Sequence, residues 1–191
     1  MSATPSATAA ANAAPPPSAP SAPKGIGVVR VVKVVVNSGV GESGEPRRKV
    51  ERVLEMVTHQ KPAATRSRST NRDFGIRAGQ EIGAKVTLRG QRAVEFLDRA
   101  LEARDRQLDP LSIDRAGNLS FGIADYTDFT GMKYDPEIGI HGMDVCVELG
   151  RVGWRVRDRR IAAHRLPKDL RVTREEATAF LKERFRVTYL E

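Results

Sequence analysis

Hydrophobic positions along this chain recur at two alternating periods, and the periods mark its elements. Residues 28–36 read VVRVVKVVV, seven valines in nine positions. A near-continuous run of β-branched residues predicts a strand in a central position of a sheet. It stops at Asn37-Ser38-Gly39, and Gly41 and Gly44 follow. Pro46 then suits the first turn of a helix in which Val50, Val53, Leu54 and Val57 repeat on one face. Further on, Ala84-Lys85-Val86-Thr87-Leu88 alternates with period two. Ala84, Val86 and Leu88 should face a core, leaving Lys85 and Thr87 outward as donors to phosphate or sugar oxygens. After Gly90 an amphipathic helix is expected to about Gln107, with Val94, Leu97 and Leu101 inward. Glu95–Arg99 and Glu102–Arg106 are spaced as i,i+4 pairs on its outer face.

The second half repeats the strand signal. Leu119, Phe121 and Ile123 alternate after a turn at Gly117-Asn118. A connection containing Gly and Asp follows over 127–142. Met143, Val145, Val147 and Leu149 then make another strand, with Asp144, Cys146 and Glu148 on its other side. Trp154 and Val156 alternate with Arg155 and Arg157 and read as a last short strand. Thr173-Arg174-Glu175-Glu176 is a capping box opening a terminal helix with Ala177, Phe180 and Leu181 inward. The order βα, βα, ββ(β)α describes an α+β domain. It implies an antiparallel or mixed sheet with helices packed on one face, the other face and the basic loops being left for a partner. One domain over 24–191 is expected. Residues 1–23 are almost wholly Ala, Pro, Ser and Thr without a charged side chain. They read as a disordered tail and not as a secretory signal, because a basic leading segment is missing and prolines interrupt the apolar stretch.

Charge sharpens the picture of the partner. Against 24 acidic residues the chain carries 32 Lys and Arg, a formal net charge of +8, which favours a polyanion. Two basic stretches stand out. The first holds Lys61, Arg66, Arg68, Arg72 and Arg77 and reads as an irregular, phosphate-contacting loop. The second contains Arg155, Arg157, Arg159 and Arg160 and continues through Arg165, Lys168 and Arg171. Cys146 is the single cysteine, so no intrachain disulfide or thiolate cluster can form. His59, His141 and His164 lack metal-ligand spacing, and no metal or cofactor is expected. No run of about 18 apolar residues exists to span a membrane.

Catalytic alternatives fare worse. Asp125, Asp128, Asp135 and Glu137 have no triad partner nearby and read as loop-solvating carboxylates. Residues 39–44 (GVGESG) satisfy GxGxxG after a strand, which raises the alternative of a nucleotide-binding enzyme using that turn. An acidic residue closing a second parallel strand is missing, however. Glu42 and Glu45 would repel a pyrophosphate, and Glu45 stands where a Walker loop needs lysine. A tight strand-to-helix turn is the better reading.

Several stretches then coincide in order: VVKVVVNSGVGESGE, HQKPAATRSRSTNRDFGIR, IGAKVTLRG, LSFGI, GMKYDPEIGIHGMDVCVELGR and VTREEATAFLKERF. Together they resemble the universal large-subunit ribosomal protein numbered five in bacteria and eleven in eukaryotes, archaeal type, over residues 24–191. The resemblance implies a structural, non-catalytic role in the cytoplasmic ribosome. It implies binding of 5S rRNA and large-subunit rRNA in the central protuberance, contact with P-site tRNA, contact with neighbouring large-subunit proteins, and a bridge to a small-subunit head protein. Asn37, Gln60 and Thr87 match positions that contact 5S rRNA, and Lys85 and Arg89, two residues to either side of Thr87, are RNA-binding candidates with them. Arg66, Arg68, Arg72 and Arg77 fall in the element that faces tRNA. Arg155, Arg157, Arg159 and Arg160 are candidates for further rRNA contacts.

Overall fold

The valine run forms the middle of the sheet. The computed structural model describes residues 28–41, 44–167 and 170–190; the tail expected over 1–23 lies outside the described residues. Strand β1 (Val29–Gly39) pairs on one side with β3 (Glu81–Arg89) and on the other with β6 (Met143–Arg151). The short β2 (Ala63–Arg66) extends the sheet beyond β3, and β5 (Leu119–Ile123) extends it beyond β6. The order is β2-β3-β1-β6-β5, and every neighbouring pair is antiparallel. A separate parallel pair joins β4 (Gln107–Leu108) to β7 (Thr188–Tyr189).

Alternation decides which face is buried. Register aligns Val36 with Val86 and Val145, and Val34 with Leu88 and Val147. All of these are buried, together with Leu119, Phe121 and Ile123 of β5. Three helices cover that face. Helix α1 (Glu45–Thr58) contributes Val50, Val53, Leu54 and Val57, as its spacing predicted. Helix α2 (Gln91–Glu102) buries Ala93, Phe96, Leu97, Ala100 and Leu101. After the four-residue helix α3 (Arg155–Asp158), helix α4 (Arg174–Phe185) buries Ala177, Leu181 and Phe185. The α+β class and the helices on one sheet face match the expectation.

Four local expectations need correction. Helix α2 stops at Glu102, short of Gln107, because Asp105 and Arg106 take left-handed φ of 53° and 56° and reverse the chain. Arg106 holds the reversal: its guanidinium donates to Phe185 O at 2.6 Å and Glu102 at 2.8 Å, with Asp98 at 3.1 Å. Arg99 does not reach Glu95 but donates to Val57 O at 3.3 Å, tying α2 to α1. Residues 154–156 are no strand. Gly153, at φ 103°, turns the chain off the sheet just past the last β1–β6 pair, Val29 with Arg151, so there is no strand left to pair with.

The basic stretch after Lys61 is more ordered than a loop. Beyond the β2–β3 ladder Ser67 N–H donates to Gln80 O at 2.8 Å, and Asn71 and Ile76 exchange two main-chain hydrogen bonds. The chain therefore makes a hairpin that reverses at Arg72-Asp73-Phe74-Gly75, where Gly75 N–H donates to Arg72 O at 3.1 Å. At its base, Gly83 is needed because a Cβ there would sit 2.8 Å from Ser38 O and 2.9 Å from Thr65 Oγ1.

Candidate nucleic-acid interface

The sheet face opposite the helices carries the residues that alternation pointed outward. Along β1 these are Lys33, Val35 and Asn37; register sets them against Arg89, Thr87 and Lys85 of β3. On the other flank the same three face Glu148, Cys146 and Asp144 of β6. Gln60, just before β2, reaches Thr87 with a side-chain N–H bond to its main-chain oxygen at 3.2 Å. The structure thus brings Asn37, Gln60, Lys85, Thr87 and Arg89 into one patch, although Asn37 and Arg89 are far apart in sequence. Lys85 and Arg89 are exposed and have no carboxylate partner among the described residues.

Charge divides this face. The β3 side is cationic with neutral donors, whereas the β6 side holds Asp144 and Glu148. Glu148 is already compensated, at 2.8 Å from Lys33 and 3.4 Å from Arg157. An anion meets attraction over β3 and little net charge towards β6, so the β2–β3 half is the part of this face that attracts anions.

The predicted arginines sort into free and committed groups. In the hairpin, Arg66 pairs with Glu81 at 3.3 Å, whereas Arg68, Arg72 and Arg77 are exposed without an acidic partner among the described residues. Phe74 at the tip is 75% exposed, a ring that sequence reading passed over. Near α3, Arg157 is committed: it lies 4.0 Å over the Trp154 ring and its Nε donates to Asp158 at 3.0 Å. Arg159 donates its Nε to Ala162 O at 2.8 Å, and Arg155 and Arg160 are exposed. Arg155, Arg159 and Arg160 join Arg30 of β1 and Arg184 of α4 around one cleft. Neither Arg30 nor Arg184 was a candidate from the sequence. Each lies in a polar gap of an apolar pattern, and only the tertiary fold brings them together.

The glycine turn after β1 is not built for a nucleotide. Val40 and Gly41 both donate their N–H groups to Ile82 O, at 3.0 and 3.1 Å, so these donors are spent on β3. The antiparallel sheet also removes the parallel second strand that a dinucleotide fold requires. The carboxylates once weighed for catalysis serve turns: Asp125 accepts from Thr127 N–H and Asp135 from Glu137 N–H. Among the described residues no three His, Cys, Asp or Glu gather as metal ligands, and none of their helices is long and apolar enough to cross a membrane.

Fold and surface together define a class: a basic α+β sheet protein with helices on one face, a donor-bearing face left open, and a cationic hairpin at one edge. Within it, the chain belongs to the ribosomal protein L5 family. Residues 26–77 match the model described as Ribosomal protein L5, and residues 81–185 match that of the ribosomal L5P family C-terminus. The chain is 50% identical over 156 residues to large ribosomal subunit protein uL5 of Picrophilus torridus, covering 81% of this chain and 89% of that protein. Proteins of the same name from Methanoculleus marisnigri and Sulfolobus acidocaldarius are each 49% identical over 159 residues. These alignments cover 83% of this chain and 95% and 89% of the respective relatives. The chain is thus a ribosomal protein, a component of the ribonucleoprotein that carries out translation in the cytoplasm.

Proposed function

We propose that the protein is a structural constituent of the large ribosomal subunit that binds 5S rRNA through the β2–β3 half of its open sheet face. The observation that carries this reading is the convergence of Asn37, Gln60, Lys85, Thr87 and Arg89 on one uncovered patch. Uncharged donors between two free cations suit recognition of sugar and base edges in a folded RNA, with phosphates held at the margins. Residues 24–191 act as one RNA-binding unit in this reading, with 1–23 as a tail outside it.

The finer assignments follow from the resemblance. Large-subunit rRNA would meet the arginines around α3, anchoring the 5S particle in the central protuberance. The hairpin, with Arg68, Arg72 and Arg77 free, would reach P-site tRNA. A small-subunit head protein would be met at an intersubunit bridge, and neighbouring large-subunit proteins on the remaining surface. No catalytic role is proposed.

The test is a titration of the purified protein with 5S rRNA at two salt concentrations, with tRNA and a random duplex as competitors. Preferential 5S binding that weakens steeply with salt is expected, and Lys85→Ala should reduce the logarithmic salt slope by about one. Equal affinity for every RNA, or a flat salt response, would overturn the reading.

A further inference from the structure

Six arginines from four parts of the chain line a single cleft of about 770 Å³: Arg30, Arg89, Arg155, Arg159, Arg160 and Arg184. The one carboxylate in its lining, Asp158, is bonded to Arg157, which is not part of the lining. None of the six guanidinium groups has a carboxylate within ion-pair distance among the described residues. Their mutual repulsion is therefore offset by no paired carboxylate among the described residues and is relieved when an anion enters.

The floor of the cleft has a different character. Val31, Val32, Val94 and Trp154 line it. A bulge in β1 between Val31 and Lys33 interrupts the ladder to β6 here. The indole Nε1 of Trp154 is buried, without a hydrogen-bond partner among the described residues, so the ring offers the cleft apolar surface. A rim of cations and an apolar floor make two separate demands on a ligand.

An unbroken RNA duplex answers only the first. It presents phosphates on a convex cylinder, which leaves the apolar floor empty. A nucleotide turned out of its helix answers both: flanking phosphates meet the arginines, and sugar and base cover the valines and indole. Arg89 belongs both to the cleft and to the open-face patch, so the two surfaces are continuous. Resting on the RNA-binding reading above, we infer that this cleft captures a single extruded nucleotide of the bound RNA.

Trp154 is the chain's single tryptophan and lines both the cleft and the hollow beside Lys33 and Arg157, so its emission reports on that end of the sheet. The protein is titrated with a fully paired RNA hairpin and with a hairpin of equal phosphate number carrying a one-nucleotide bulge. The bulged RNA should bind about tenfold tighter and alter Trp154 emission more than the paired RNA does. The double variant Arg155→Ala/Arg160→Ala, both exposed positions, should lose the preference, its affinity falling more for the bulged hairpin than for the paired one, with an unchanged circular dichroism spectrum. Equal affinity of the parent protein for the two hairpins, with the same Trp154 response to both, would overturn the inference while leaving 5S binding at the sheet intact. Full reproduction of the emission change by free AMP would overturn it in favour of a mononucleotide site. Absence of binding to every RNA would overturn the functional reading as well.

Discussion

The side chain of Gln60 is bonded to the main chain of Thr87, not to its hydroxyl, at 3.2 Å and across 27 positions of sequence. The two residues therefore separate stability from recognition. Thr87→Ala leaves that bond in place and should change unfolding free energy by less than about 0.5 kcal/mol, while weakening 5S rRNA binding. Gln60→Ala removes the bond and should destabilise by about 1 kcal/mol. Chemical denaturation beside an RNA titration measures both, and a large loss of stability in Thr87→Ala would contradict the assignment.

The hairpin arginines are expected to be dispensable for the fold. Arg68, Arg72 and Arg77 make no ion pair among the described residues. Replacing all three by alanine should leave the melting temperature within experimental error and lower the salt slope of tRNA binding by about three. An unaltered slope would remove the hairpin from the tRNA interface.

Gly83→Ala tests the close approach at the base of that hairpin. The added methyl would press on Ser38 O and Thr65 Oγ1. Overpacking of this kind costs about 1–3 kcal/mol. Amide exchange should accelerate in β2 and the adjoining part of β3, while β5 and β6 stay protected.

Acid should loosen the start of α4. Thr173 and Glu176 close a reciprocal capping box, and Glu176 also pairs with Arg151. The Arg151 hydrogen bond, followed by that of the Thr173 backbone, holds the Glu176 carboxyl below its ordinary range. A depressed carboxylate stabilises the fold above its unfolded-state pKa, and the contribution is lost as pH falls through the folded value. Melting temperature followed from neutral to acid pH should fall less steeply for Glu176→Gln than for the parent, and identical slopes would refute the coupling. Thr173→Ala should cost about 1 kcal/mol at neutral pH. At the alkaline end burial raises the Tyr189 hydroxyl, so its contribution fades as pH climbs through that raised value.

The sheet was legible wherever alternation or valine density was strong. β1, β3, β5 and β6 announced themselves because one face of each is packed and the other is not. The four residues at 154–157 alternate as well, yet they form a helical turn; a pattern that short does not distinguish a strand from a turn with nothing beside it. The β2 hairpin escaped notice because its pairing partner lies beyond a polar reversal, and its own side chains are mostly exposed. On the interface, Lys85 and Thr87 could be read from period two alone. Arg30 and Arg184 could not, since only tertiary contact makes them neighbours.

The placement of β1 has a consequence for how the chain is made. Its valine-rich edge is completed by β6, with Val35 opposite Cys146. At a synthesis rate of about 5–20 residues per second, roughly 5–20 s separate the appearance of the two strands. Even after β3 has been made, β1 has only that neighbour until β6 arrives, with one ladder of backbone groups and an apolar row unsatisfied. A nascent chain in this condition needs shielding from its neighbours. Slowed translation between residues 90 and 140 should therefore raise aggregation of newly made protein, whereas slowing after residue 151 should not.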